Sequence, residues 1–219
     1  MKSQDVAQYL LENPHFFEEQ GDLITQLEFR HPRDGRTVSI TERQVLALRE
    51  KNRYLEKKLG EWLQFGREND SIGEKMHRLG VAIIAASTFQ AVVHTLNFHL
   101  RNDFEIPHVA IRLWPRPENV ENMPEIADVS ENLRAFAETL LQPCCGAATD
   151  PETLSWFGEA AGQIRSQALI ALRKGGGSIG LVVLGSEEAR RYYSGMGTLY
   201  LERLGEIASA AFTRMLLRE

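Results

Sequence analysis

Cysteine is nearly absent from this chain: among 219 residues there are two, Cys144 and Cys145, side by side. Adjacent cysteines cannot close an ordinary disulfide without a strained ring. A disulfide framework of the kind that staples small secreted domains is therefore excluded. Long apolar runs are missing as well. The longest, such as Val81 to Ala86, falls far short of the roughly 20 residues that a membrane-spanning helix needs. Neither sign of charge dominates: 25 basic residues face 30 acidic ones for a net charge of −5, and the two are interleaved. No electropositive stripe offers itself to phosphates, so nucleic acid is not an expected partner. Met1-Lys2-Ser3-Gln4-Asp5 turns amphipathic at once and lacks the apolar core of a signal peptide. The expectation is a cytoplasmic location, reduced thiols and no membrane partner.

What is present suffices for a globular core, with 43% hydrophobic residues and 25% charged ones. Residues 1–38 read as a helical cap. Ser3 is placed to cap a helix carrying Val6, Tyr9 and Leu10, which Asn13-Pro14 ends. Phe16 and Phe17, then Leu23, Ile24 and Leu27, anchor further helical turns, and His31 to Arg36 is a turn by composition.

Residues 39–86 form the longest periodic stretch, a long amphipathic helix opened by a capping box at Ser39 and Glu42. Seam positions fall at Val45, Leu48, Asn52, Leu55, Leu59 and Trp62, alternately three and four apart. They resume at Phe65, Asn69, Ile72, Met76, Leu79 and Ile83. Two three-residue steps in succession at Trp62 to Phe65 make a stammer, which overwinds a coiled coil locally. A buried Asn in such a seam fixes register and strand number, so Asn52 and Asn69 favour a dimerisation stalk. The alternative is a helix packed on its own chain. Gly60, Gly66, Gly73 and Gly80 weaken it at roughly 1 kcal/mol each relative to Ala, with a break near Gly66 or Gly73 in view.

Beyond Ala86 the pattern changes. Phe89 to Leu100 reads as an all-round apolar helix ending near Asp103. Val109 to Trp114 alternates as a strand, with Val109, Ile111 and Leu113 on one face and Ala110, Arg112 and Trp114 on the other. Pro115, Pro117 and Pro124 mark a loop, and Ser130 caps a helix through Leu141. A loop from Pro143 to Asp150 carries both cysteines, and Leu154 to Phe157 is a short apolar element. Ala168 to Arg173 and Ser178 to Gly185 are apolar runs joined by Lys174-Gly175-Gly176-Gly177, a hairpin. A last helix spans about Gly197 to Leu217, with a seam of Leu201, Leu204, Ala208, Ala211 and Met215. The order helix, strand, helix, hairpin, helix gives an α+β fold with a mainly antiparallel sheet flanked by helices.

Ser166 to Leu172, the glycine turn and Ile179 to Ser186, followed by a long helix, resemble the closing hairpin of a GAF domain. Val6 with Tyr9-Leu10, Asn13-Pro14-His15-Phe16-Phe17, and Val38-Ser39 with Glu42-Arg43-Gln44 and Leu48-Arg49 resemble the proteobacterial family called domain of unknown function 484. The second likeness covers essentially the whole chain. The first implies a GAF-like domain over residues 78–219, with the first and last helices packed on one face of its sheet. It also implies a dimeric helical bundle, to which Leu48, Asn52, Leu55, Leu59, Trp62, Leu201, Leu204 and Ala208 would contribute. GAF relatives bind cyclic nucleotides, tetrapyrroles or small metabolites, or nothing known, and the Asn-Lys-Phe-Asp-Glu signature of the cyclic-nucleotide binders is not found here.

Candidate chemistry is sparse. Cys144 and Cys145 admit a thiol-based reductase, bilin attachment by one thiol, or two small residues filling space, and the last is favoured. His94 and His99 sit five apart on one helix, splayed by about 140°, and the six histidines show no metal-ligand spacing. Lys174 to Ser178 is followed by a strand, whereas a phosphate cradle needs a helix N-terminus. Arg112 beside Trp114 suits an anionic or planar ligand. Trp156, Phe157 and Ser166 are expected to line the same cavity, and the cofactor is unknown. Two functions follow as expectations. One is a non-enzymatic regulatory protein, a small-molecule sensor coupled to a dimerisation stalk and to a protein partner. The other is a ligand-free interaction scaffold, its pocket filled by side chains such as Trp114 and Trp156.

Overall fold

The computed structural model describes residues 2–21, 28–30, 37–116 and 123–216, with side chains described from residue 43 onward in the long helix. The chain divides into two compact units, residues 1–67 and 68–219.

In the first unit, helices α1 (Ser3–Glu12) and α2 (Phe16–Glu19) precede two short strands, β1 (Glu28–Arg30) and β2 (Thr37–Ser39). Lys2, not Ser3, occupies the cap position of α1, and its backbone N–H donates to Asp5 Oδ2 at 2.8 Å. Asn13 ends the helix, as expected. The strands pair antiparallel, Phe29 opposite Val38, so the region read as helical also holds a small ladder. Leu23, Ile24, Leu27, the His31–Arg36 turn and the Ser39–Glu42 capping box lie outside the described residues or side chains.

Helix α3 (Ile40–Ala85) runs without a break through Gly60, Gly66, Gly73 and Gly80, and the two units divide within it. Its first half leaves the seam open: Leu48, Leu55, Leu59 and Trp62 are all exposed, Trp62 by 70%. Its second half enters the core of the second unit through Met76, Leu79 and Ile83.

That unit contains α4 (Phe89–Asn102), β3 (His108–Leu113), α5 (Glu131–Thr139), β4 (Cys144–Ala147), α6 (Pro151–Ser155), β5 (Ser166–Lys174), β6 (Gly177–Ser186) and α7 (Leu199–Leu216). The sheet order is β3-β6-β5-β4, every pairing antiparallel. The expected hairpin is β5–β6, turned at Gly175 with φ of +62°, a left-handed conformation that suits glycine. Gly180 is required for another reason. A Cβ there would meet the Arg112 carbonyl oxygen at 2.5 Å, so β3 and β6 could not close.

One face of the sheet carries Ile111, Leu113, Ala168, Ile170, Leu172, Val182 and Leu184, covered by the end of α3, by α4 and by α7. The expected placement of the first and last helices on one face is thus observed, and the α+β, mainly antiparallel reading holds. Leu204 and Ala208, expected at a dimer interface, are buried in this core, and Leu201 is packed against it. The seam of α7 is covered by the chain's own sheet because α7 lies along β5. Helix α4 is not apolar all round: Phe89, Val92, Val93, Leu96 and Leu100 are buried, whereas Phe98 is exposed. Arg214 of α7 locks the end of α3, donating to the carbonyls of Ile83 (2.9 Å), Ile84 (3.1 Å) and Ala86 (2.7 Å). Carbonyls at a helix C-terminus lack intrahelical donors, and here Arg214 serves them, Ile83 also accepting from the Ala86 N–H at 3.2 Å.

The opposite face holds Ala110, Leu169, Leu181 and Val183 beneath Val129, Leu133 and Ala137. Ser130 caps α5 by accepting from the Leu133 N–H at 3.2 Å. Arg173 closes its other end, donating to the carbonyls of Glu138 (2.6 Å) and Leu140 (2.9 Å). The cysteines are in a strand, not a loop: four residues of β4 pair with β5 at the sheet's edge, Cys144 opposite Leu169.

Candidate functional site

Alternation along β3 sends Arg112 and Trp114 to the face under α5, as the sequence pattern requires. Trp114 packs there with Leu140, Trp156 and Phe157 against the small core. Its indole Nε1 is buried without a hydrogen-bond partner among the described residues, and the Arg134 guanidinium lies 5.5 Å from its ring centroid. Phe157 seals the end of the sheet, where a Cβ on Gly185 would meet its ring at 3.0 Å. The middle of this face is therefore filled by side chains.

An opening survives at the β3 edge. A cavity of about 460 Å³ is lined by Arg112 and Trp156, by His94, Asn97, Phe98 and Arg101 of α4, and by Glu125. The Arg112 guanidinium lies 4.8 Å from the Trp156 ring centroid, within cation–π range. Its Nη1 donates to the Ile111 carbonyl at 2.8 Å. One donation leaves most of the guanidinium's five N–H groups for a ligand. Burial lowers the Arg112 pKa and the charge of Glu125 opposes that. Glu125 presents a carboxylate oxygen, Oε2, that is buried and has no hydrogen-bond partner among the described residues. A half-buried cation and a buried, unbonded acceptor thus share one cavity.

Of the five residues expected at a ligand site, Arg112 and Trp156 meet in this cavity. Trp114 and Phe157 lie on the same face but within its packed core. Ser166 is on the other side of the sheet. It shares the parity of Ala168, Ile170 and Leu172, and its hydroxyl donates to the Glu188 carbonyl at 2.6 Å and accepts from the Tyr192 N–H at 3.3 Å. Glu125, His94, Asn97 and Arg101 join the cavity without having been expected there. The i, i+3, i+4, i+7 spacing of His94, Asn97, Phe98 and Arg101 marks one face of α4, and that is the signal the sequence offers. Glu125 follows a proline-marked stretch of sequence that carries no periodic pattern.

Among the described residues no three His, Cys, Asp or Glu side chains cluster to hold a metal, and no helix is long and apolar enough to cross a membrane. Cys144 and Cys145 are both free thiols.

Comparison with solved structures finds a likeness to the crystal structure of the A. aeolicus nlh2 GAF domain in an inactive state. Identity is 11%, with coverage of 69% of this chain and 99% of that one and a TM-score of 0.48. Among curated proteins, the chain is 25% identical over 206 residues to the uncharacterized protein YigA of Escherichia coli (strain K12), spanning 91% of this chain and 86% of that protein. The YigA protein of Shigella flexneri matches to the same extent. A family model described as "Protein of unknown function, DUF484" matches residues 1–216, and the chain belongs to that family.

Proposed function

We propose that this protein is a non-enzymatic regulatory sensor of the GAF-like kind. It takes a small polar ligand at the β3 edge and signals through a self-associating helix. The observation that carries the reading is the double role of α3. Residues 76–83 of this helix are built into the core of the sheet unit, while its first half presents an unburied apolar seam. A ligand that shifts α4 moves the core in which α3 is embedded, because Leu79, Ile83, Val92 and Leu96 belong to one buried cluster. Interiors packed this tightly transmit displacement rather than absorb it. The seam at Leu48, Asn52, Leu55, Leu59 and Trp62 is assigned to a second copy of the chain, since its three-four spacing with a polar Asn is the pattern that sets register in paired helices.

The ligand expected is one that joins an acceptor group, for Arg112, to an N–H donor group, for Glu125. Native mass spectrometry of protein purified without added ligand tests this. The sensor reading expects a retained small molecule that Arg112→Ala and Glu125→Ala each lose. A ligand-free mass from cells and after incubation with metabolite extracts would contradict it. A second reading, an interaction scaffold without a ligand, is favoured by one observation: Trp114, Leu133 and Ala137 fill the sheet face under α5. The same experiment separates the two.

A further inference from the structure

We propose a second small-molecule site, the cavity beneath the edge strand β4, where Cys144 forms a mixed disulfide with a small uncharged disulfide bearing an amide. The cavity measures about 450 Å³ and lies on the α5 face of the sheet. Cys144, an exposed residue with a free thiol, is part of its lining. Leu133, Phe136 and Leu169 supply apolar wall.

The floor is what distinguishes this cavity from a surface dent. Gln167 is 3% exposed, yet it lines the cavity. One end of its amide meets the buried Thr153 hydroxyl, Oε1 to Oγ1 at 3.3 Å, and among the described residues the other end meets no hydrogen-bond partner. Whichever way that amide is assigned, one polar atom is left for an occupant. Gly146 lies directly opposite Gln167 across the β4–β5 ladder. A Cβ on Gly146 would meet nothing within 4 Å, so the space beside Gln167 is open. A ligand amide supplies the complement that the Gln167 side chain lacks.

Charge selects among disulfides. Asp150 and Glu152 line the same cavity. Both are already engaged: Asp150 Oδ2 accepts from the Thr153 N–H at 2.9 Å and Glu152 Oε1 from the Ser130 N–H at 2.8 Å. They ask for no cation, but they repel an anion. Cys145 cannot take part. Strand alternation turns it to the opposite face, against the larger core, and burial, then the neighbouring Cys144, pushes its thiol up to about 11.

The exchange balances without another reagent. The Cys144 thiol gives its proton to water, and the thiolate attacks one sulfur of the ligand. The ligand's S–S bond breaks as the new one forms, and the departing thiolate is protonated. The ligand is the oxidant, and half of it leaves reduced. With Cys145 on the other face, no neighbouring thiol resolves the adduct.

The test uses the full chain and the disulfide of N-acetylcysteamine, followed by intact mass and peptide mapping. One adduct on Cys144 is expected, with a rate that saturates with concentration. S-methyl-N-acetylcysteamine, which binds but cannot exchange, should protect the thiol. Gln167→Ala should raise the half-saturating concentration roughly three- to tenfold, the worth of one buried hydrogen bond. Bis(2-hydroxyethyl) disulfide, lacking the amide, and the anionic glutathione disulfide should react without saturation. A rate linear in N-acetylcysteamine disulfide with no protection, or an adduct on Cys145 as fast as on Cys144, would overturn the proposal. Protection is measured on the unaltered chain and so is independent of how Gln167→Ala folds.

Discussion

The two halves of α3 carry the same apolar spacing and meet opposite surroundings. Between Val45 and Phe65 the large apolar side chains are exposed, and from Met76 to Ile83 the seam is buried under α4 and α7. Spacing does not separate the halves. The difference lies in elements that follow later in the chain: the sheet, α4 and α7 cover the second half, and no described element buries the first. An apolar stripe on a helix states that a face wants covering, and tertiary structure decides what covers it.

The largest effect expected from this contrast is on folding. Leu79→Ala removes a fully buried side chain and should cost about 2–5 kcal/mol. Leu59→Ala, on the exposed half, should change unfolding of the sheet unit by no more than about 0.5 kcal/mol. Urea denaturation followed through tryptophan fluorescence measures both, and equal losses would erase the distinction. Next comes the clamp at the end of α3. Arg214→Ala deprives three carbonyls of a charged donor and should cost about 1.5–3 kcal/mol in the same assay.

The smallest effect is electrostatic. Asp103 is held below the ordinary carboxylate range, first by its hydrogen bond with His99 at 2.6 Å, while burial opposes and the charge of Arg78 on α3 assists. A lowered folded pKa contributes stability above the unfolded value of about 3.9 that is lost as pH falls through the folded one. Acid titration of stability should therefore be shallower in Asp103→Asn. On the exposed half, Glu61 is lowered by Lys58 in the same sense. That pair is in solvent, and Lys58→Ala should leave the acid limb nearly unchanged.

The sheet unit is legible in the sequence wherever a period meets a turn signal. The β5–β6 hairpin, the face alternation of β3 and the Ser130 cap all follow from local chemistry. β4 is not legible, because Cys-Cys-Gly-Ala is too short to alternate and its pairing with β5 is a long-range event. Ser166 belongs to the face opposite the one expected, and counting by two from Ala168 places it with the larger core. Gln167 is one polar residue in an apolar run, and only the cavity beside it gives it meaning. Leu204 and Ala208, expected at a dimer interface, are buried in the chain's own core, and the reason is the one that separates the halves of α3: periodicity is blind to whether the covering surface is the chain's own.

The proposed signalling rests most heavily on the first half of α3 being covered by a second copy. Light scattering coupled to size exclusion at micromolar concentration tests this directly, on the unaltered chain and on Leu55→Glu with Trp62→Glu. A dimer mass is predicted for the first and a monomer mass for the second, with the sheet unit's unfolding midpoint preserved. A monomer mass for the unaltered chain, or a dimer that survives both charged substitutions, would contradict it.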